Sequence, residues 1–139
     1  MKYHIFLFSL ISLLFVIGCG LPTSPVSGKV TFEDGTPLTS GEVVFALNNT
    51  EEYFAKGKIN SDGTYSLAEH VIGKASGKSG CRHGEFTVFI GGTSTTAIVD
   101  NKTITTHAID ENYTRRDKTP LNTKVPNGNY DFKVPPYKK

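Results

Sequence analysis

The sequence predicts an all-β chain: an antiparallel β-sandwich of seven to eight strands following an N-terminal signal helix. Three observations predict it. Apolar and polar residues alternate with period two again and again from Val26 onward, the signature of half-buried strands. Clusters of Gly, Pro, Asn and Asp separate these runs at short intervals, as turns do. No apolar stripe at helical spacing runs through the same region. The bulk composition agrees, with 14 Gly and 7 Pro for turns, and 9 Phe and 6 Tyr with no Trp for the core.

The N-terminal segment sets the compartment. Lys2 supplies the only charge before an apolar core, Ile5–Ile17, interrupted by Ser9 and Ser12 alone. That core has signal-peptide length and falls short of the roughly 20 apolar residues of a stable bilayer span. It runs directly into Val16-Ile17-Gly18-Cys19. An aliphatic residue, a small residue and then cysteine is the lipobox pattern read by lipoprotein signal peptidase. Cleavage is expected between Gly18 and Cys19, where Gly18 is small enough for the cleavage site. Lipidation is expected on Cys19, because its thiolate is the nucleophile that takes the diacylglycerol. One acyl chain binds a membrane only marginally, whereas the several chains of a mature lipoprotein hold firmly. Gly20 follows, with no Asp at that position, which favours the outer over the inner membrane where an Asp retention rule operates. The domain plan is therefore a signal peptide at 1–18, a tether at 19–25 held extended by Pro22 and Pro25, and one sandwich domain at 26–136. The formal net charge of +2 includes Lys2. So even a balance gives no field to recruit nucleic acid.

Along the domain, Val26, Gly28, Val30 and Phe32 form the first inward face, and Glu33–Pro37 turns the chain. Val43, Phe45 and Leu47 follow. Tyr53–Ile59 resumes the alternation, with Gly57 expected at a bulge. Asn60-Ser61-Asp62-Gly63 reads as a tight hairpin leading to Tyr65 and Leu67. Gly73–Gly84, rich in Gly, Ser and Lys, is expected to be an exposed loop. Phe86, Val88 and Ile90 make the next inward face. Gly91–Thr96 is expected to be a second flexible loop, with one strand near Ile104–Ile109. Asp110–Pro120 is charged and irregular. Leu121, Thr123 and Val125 form a strand, Pro126–Asn129 turns it, and Tyr130, Phe132 and Val134 close the chain. The expected buried set is Val30, Phe45, Tyr65, Leu67, Phe86, Val88 and Phe132, while Phe54 and Phe89 take outward positions.

Several of these segments resemble a known family. Gly28-Lys29-Val30, Asp34-Gly35-Thr36-Pro37-Leu38 and Val43-Val44-Phe45 resemble the opening of carboxypeptidase-regulatory-like domains, which are transthyretin-like (prealbumin-like) sandwiches. Asp62-Gly63-Thr64-Tyr65-Ser66-Leu67 is similar to their central hairpin, and Gly84-Glu85-Phe86-Thr87-Val88 to a later strand. Ile109–Tyr113, Leu121–Val125, Gly128 and Tyr130–Val134 are similar to the C-terminal stretch of small bacterial lipoproteins built on this domain. Two positions depart from the pattern. Asp110 stands where proline is usual, and Cys81-Arg82-His83 replaces a Pro-Pro-type turn. The resemblance implies a fold and an extracytoplasmic setting, and it implies no activity.

Candidate sites are few. Cys81, His83, His70 and His107 are residue types that bind zinc or copper, but a structural zinc needs about four ligands and the C-x-H spacing is no recognised pair. No metal and no cofactor are expected. With Cys19 acylated, Cys81 has no partner in the chain, and its loop position predicts an accessible thiol beside Arg82 and His83, able to form an intermolecular disulfide. Acidic residues at turns (Glu33, Asp34, Asp62) are expected to shape turns rather than bind calcium, and Arg115-Arg116-Asp117-Lys118 to be a solvated linker. The Tyr-Arg-Gly-Ser terminus of the transthyretin-like hydroxyisourate hydrolase is missing; this chain ends Pro136-Tyr137-Lys138-Lys139. No catalytic residue is nominated, and the chain is expected not to be an enzyme. The expectation is a lipid-anchored envelope or surface module whose partners are the membrane, through its lipid, and a glycan or envelope protein. The alternatives are a small-ligand or metal-binding lipoprotein using the 73–84 loop and, last, a hydrolase. The ligand, the oligomeric state and any interchain pairing of Cys81 stay open.

Overall fold

The computed structural model describes residues 21–75 and 77–138. The expected signal peptide, its Gly18/Cys19 cleavage site and lipidated Cys19 lie outside the described residues. The chain is all-β, and two sheets make a β-sandwich. The larger sheet is built from β3 (Glu42–Leu47), β4 (Tyr53–Lys58), β6 (Ala68–Val71), β8 (Gly84–Gly91) and β11 (Asn122–Val125). Its five strands lie in the order β11-β8-β3-β4-β6. The smaller sheet is built from β2 (Ser27–Phe32), β5 (Thr64–Ser66) and β12 (Phe132–Val134), in the order β12-β2-β5. Two two-stranded pairs complete the fold: β1 (Thr23–Ser24) with β7 (Cys81–Arg82), and β9 (Ser94–Val99) with β10 (Lys102–His107). A 3-10 turn covers Glu111–Thr114, opened by the Asp110 carboxylate accepting from the Asn112 N–H at 2.9 Å. Among the described residues no helix is long and apolar enough to cross a membrane.

The core lies where the two sheets face each other, and the expected register holds. Val30, Phe45, Tyr65, Leu67, Phe86, Val88 and Phe132 are all buried in one cluster. Phe45 of the larger sheet sits at its centre, with ring centroids 5.9 Å from Phe132 and 6.5 Å from Tyr65 across the sandwich, and 5.8 Å from Phe86 beside it. Tilted and edge-on rings at these separations add specific attraction to the burial of their area. The Tyr65 hydroxyl donates to the Tyr130 carbonyl at 2.6 Å, which gives the buried phenol its partner.

Several expectations need correction. The sandwich is not wholly antiparallel, because β12 pairs with β2 in parallel, Phe132 opposite Val30 and Val134 opposite Phe32. The Asn60–Gly63 turn closes through Asn60 N–H to Thr64 O and Gly63 N–H to Asn60 O, both 2.9 Å. Its flanking strands nevertheless enter different sheets, β4 pairing with β3 and β6, and β5 with β2. Gly57 marks no bulge: it pairs in register with Val43. A Cβ there would collide with the Ser66 carbonyl, as one at Gly28 would with the Tyr130 carbonyl, so both glycines are clearance where backbones approach closely.

The tether and both long loops also depart from expectation. Thr23 and Ser24, placed in the tether, pair with Arg82 and Cys81, so order begins ahead of residue 26. The 73–84 segment is not a free loop. Ala68 bridges Ser79, Glu69 N–H donates to Lys78 O at 2.8 Å, and Gly80 N–H donates to Leu67 O at 2.9 Å. The segment around 91–109, expected to hold a loop and one strand, instead forms the β9–β10 hairpin. Its two-residue turn is Asp100-Asn101, with φ of 50° and 59°. Positive φ at both central residues is what a tight hairpin turn of the favoured hand requires.

Candidate functional site

The corner around Cys81 brings Tyr53, Glu69 and Arg82 together. Tyr53, on the inward face of β4, accepts the Arg82 backbone N–H at 2.8 Å and donates to the Glu69 carboxylate at 3.2 Å. The Arg82 guanidinium reaches the same carboxylate, Nε to Oε1 3.4 Å, and lies 4.5 Å over the Tyr53 ring. Glu69 pairs with Ala55, a core residue, so its register points it inward at the edge of the larger sheet. An inward carboxylate is costly unless paired, and Arg82 with Tyr53 supplies the pairing. These three side chains close the sandwich edge over Cys81.

Cys81 is therefore the main correction to the sequence-based expectation. Its relative exposure is 0%, and it belongs to the core cluster, on the strand that pairs with β1. Burial pushes its thiol up to about 12, outweighing the hydrogen bond with Tyr53, and Glu69 adds to the rise. A buried, protonated thiol behaves as a small apolar side chain, not as a nucleophile. The accessible, disulfide-forming cysteine is thus overturned, because strand pairing rather than local composition sets the course of the chain here.

The other candidates are not brought together. His83 Nε2 lies 2.8 Å from Ser24 Oγ, beside the β1–β7 pair. His70 sits opposite Phe54 on the outer face of the larger sheet. His107 ends β10, 3.4 Å from Glu111 and with its ring 5.2 Å from that of Tyr137. Among the described residues no group of three or more His, Cys, Asp or Glu is placed to hold a metal ion. Asp34 and Asp62 shape equivalent turns. Each Oδ1 accepts from the hydroxyl and the backbone N–H of the threonine two residues on, Thr36 at 2.7 and 2.9 Å, Thr64 at 2.6 and 3.0 Å. Those hydroxyl and backbone donors hold both carboxyls below their ordinary range. Arg115 is engaged in a two-point pair with Asp117, and Arg116 donates to the carbonyls of Leu47 and Thr50, tying the 110–120 segment to the β3–β4 turn.

A cleft of about 220 Å³ opens beside the Cys81 corner, lined by Glu69, Val71, Lys74, Lys78 and Arg82 among others. Its most buried cation, Arg82, is already neutralised by Glu69, which leaves exposed lysines as its free charges.

The two outer faces of the sandwich differ in chemistry. On the smaller sheet Ser27, Lys29, Thr31, Thr64, Ser66 and Lys133 face outward, all polar. On the larger sheet the outward partners in register are Val44 with Phe89, Ala46 with Phe54, and Val44 with Lys56. Val44 and Ala46 are 5% and 0% exposed, yet neither belongs to the core cluster. Their cover comes from outward neighbours, including the half-buried Phe54 and Phe89. His70, Thr87 and Asn122 border this strip. The signal was present in the sequence: Val43-Val44-Phe45-Ala46 is apolar at four consecutive positions, the pattern of a strand covered on both faces.

No protein-family model, no curated protein and no solved structure matches the chain.

Proposed function

We propose that this chain is a lipid-anchored, non-catalytic module of the bacterial envelope, a β-sandwich that binds or structurally presents a partner. The observation that carries the binding role is the pair of half-buried aromatics, Phe54 and Phe89, set over the buried Val44 and Ala46 on an outer sheet face that would ordinarily be polar. Aromatic side chains within a polar rim are the common composition of recognition surfaces. The partner is an envelope glycan or protein met by this face, and not a nucleic acid. Support for the anchor comes from the Val16–Cys19 pattern, and support for a carboxypeptidase-regulatory-like, transthyretin-like domain comes from the motifs between Gly28 and Val134. The setting is extracytoplasmic, with the outer membrane favoured.

Pairing of Thr23 with Arg82 shortens the tether. Four residue steps separate Cys19 from Thr23, at most about 14 Å of extended chain. The lipid would hold the sandwich close to the bilayer, with the β1–β7 edge nearest to it.

Two measurements test this reading. Cys19→Ser should abolish lipid labelling and membrane retention, and unchanged fractionation would refute the anchor. Envelope glycans and proteins retained by the wild type should be lost with Phe54→Ser/Phe89→Ser, while Lys29→Ser/Lys133→Ser on the opposite face should retain them. The reverse pattern would refute the assignment of the face.

A further inference from the structure

The free edge of β9 differs from the edges of the two main sheets, β11, β6, β5 and β12. The β11 edge carries Lys124 and is bracketed by Pro120 and Pro126. The β6 edge is covered by the returning Lys78–Gly80 segment. The edge strands of the smaller sheet, β5 and β12, have three residues each, and β12 runs into Pro135-Pro136. Short edges, charges, prolines and covering segments are the devices that stop edge-to-edge pairing. Strand β9, Ser94-Thr95-Thr96-Ala97-Ile98-Val99, has none of them. It is six residues long, uncharged, rich in β-branched side chains and exposed throughout. Among the described residues its sheet neighbour is β10 alone.

The backbone geometry defines what this edge offers. The two-residue turn closes on Val99 and Lys102, and Ala108 N–H donates to Thr93 O at 3.0 Å at the base of the ribbon. In the alternation of an antiparallel ladder, Val99, Ala97 and Thr95 then bond to β10, while Ser94, Thr96 and Ile98 direct N–H and C=O groups outward. A six-residue ribbon of two strands is marginal alone in water, and Ile98 is 76% exposed.

We propose that β9 pairs with β9 of a second copy of this chain, antiparallel about a two-fold axis through Thr96. The resulting sheet has the order β10-β9-β9-β10. Thr96 faces its own symmetry mate, and Ser94 faces Ile98 in each direction. Each outward pair exchanges two hydrogen bonds, about six in all. Charge selects β9 over β10 for this contact. The β9 edge is uncharged, whereas β10 carries Lys102, a residue of the kind that blunts a free edge. A two-fold axis lets one strand serve as both halves of the interface. The contact is small, so the dimer is concentration-dependent, and it is independent of what the outer sheet face binds.

The test uses the full-length chain carrying Thr96→Cys, under mild oxidation, read by non-reducing electrophoresis. Paired strands hold directly opposed Cα atoms about 5.5 Å apart, within disulfide range. Thr96→Cys should link into a species of twice the mass, and Thr105→Cys, on β10, should link at least about tenfold more slowly. Thr96→Lys would set two like charges opposite each other and should remove the concentration-dependent dimer from sedimentation profiles, while its melting temperature matches that of the wild type at dilutions where the wild type is monomeric. A wild-type chain that stays monomeric at all concentrations overturns the proposal. So does equal linking through Thr105→Cys, or an extended segment of another protein occupying β9 so that Thr96→Cys does not link.

Discussion

Two segments of this chain look alike in composition and differ in fate. Residues 73–84 and 91–107 are both rich in Gly, Ser, Thr or Lys, and the second adds Ile98, Val99 and Ile104. The first returns along the edge of the larger sheet and delivers Cys81 into the core at 0% exposure. The second leaves the sandwich as a ribbon in which every residue from Ser94 to Thr106 is exposed. Local composition therefore does not decide whether a segment is structural. The 73–84 segment finds partners on both sides: β6 through Lys78–Gly80, and β1 through Cys81–Arg82. The 91–107 segment pairs chiefly with itself.

The largest expected contrast is between the core and the ribbon. Phe86→Ala removes a fully buried ring in contact range of Phe45 and Tyr53 and should cost about 3–5 kcal/mol. Lys102→Ala at the ribbon turn should change stability by less than about 0.5 kcal/mol. Melting temperatures that match would break the inward register.

Between the two segments themselves, Cys81→Ser should cost about 1–3 kcal/mol by exchanging a buried thiol for a hydroxyl that is more costly to desolvate, and Thr105→Ser should cost almost nothing. In the same comparison, the wild-type Cys81 thiol should resist a maleimide until denaturant unfolds the chain. Rapid labelling of the folded protein would return 73–84 to the class of open loops.

A third contrast comes from pH. Burial raises the Cys81 thiol from 9.0 to about 12, and burial likewise raises the Tyr53 and Tyr65 phenols above their ordinary 10.0. Between the unfolded and folded values the native state binds more protons than the unfolded state, so stability falls as pH rises. The fall should begin near the unfolded thiol's pKa of 9.0 and be reduced in Cys81→Ala. A denaturation midpoint that stays flat from about pH 8 to about pH 11 would contradict the burial of these groups.

The smallest effect concerns the Tyr53–Glu69–Arg82 closure. Tyr53→Phe removes the hydroxyl that joins Arg82 N–H to Glu69 and should cost about 1 kcal/mol, while leaving the ring under the guanidinium. Its sharper readout is faster Cys81 labelling at low denaturant, since the edge opens more often. Unchanged labelling would mean that strand pairing alone covers the thiol.

Side-chain alternation was enough to dictate the all-β class, the inward faces of both sheets and the buried aromatics, because in a strand it is a local property with one sign. Alternation placed Phe54 and Phe89 outward, but the expected inward face took only Val43, Phe45 and Leu47, and the unbroken run Val43–Ala46 that marks a strand covered on both faces went unread. The sheet in which each strand lies was settled by pairing in three dimensions. The Asn60–Gly63 turn is local and was legible, but the sheet that β5 joins depends on β2, far away in sequence. The same holds for the parallel pairing of β12, the order of Thr23–Ser24 and the burial of Cys81. Each rests on hydrogen bonds between backbones distant along the chain. Backbone N–H and C=O groups are much the same from residue to residue, so their long-range pairing leaves no trace in side-chain pattern.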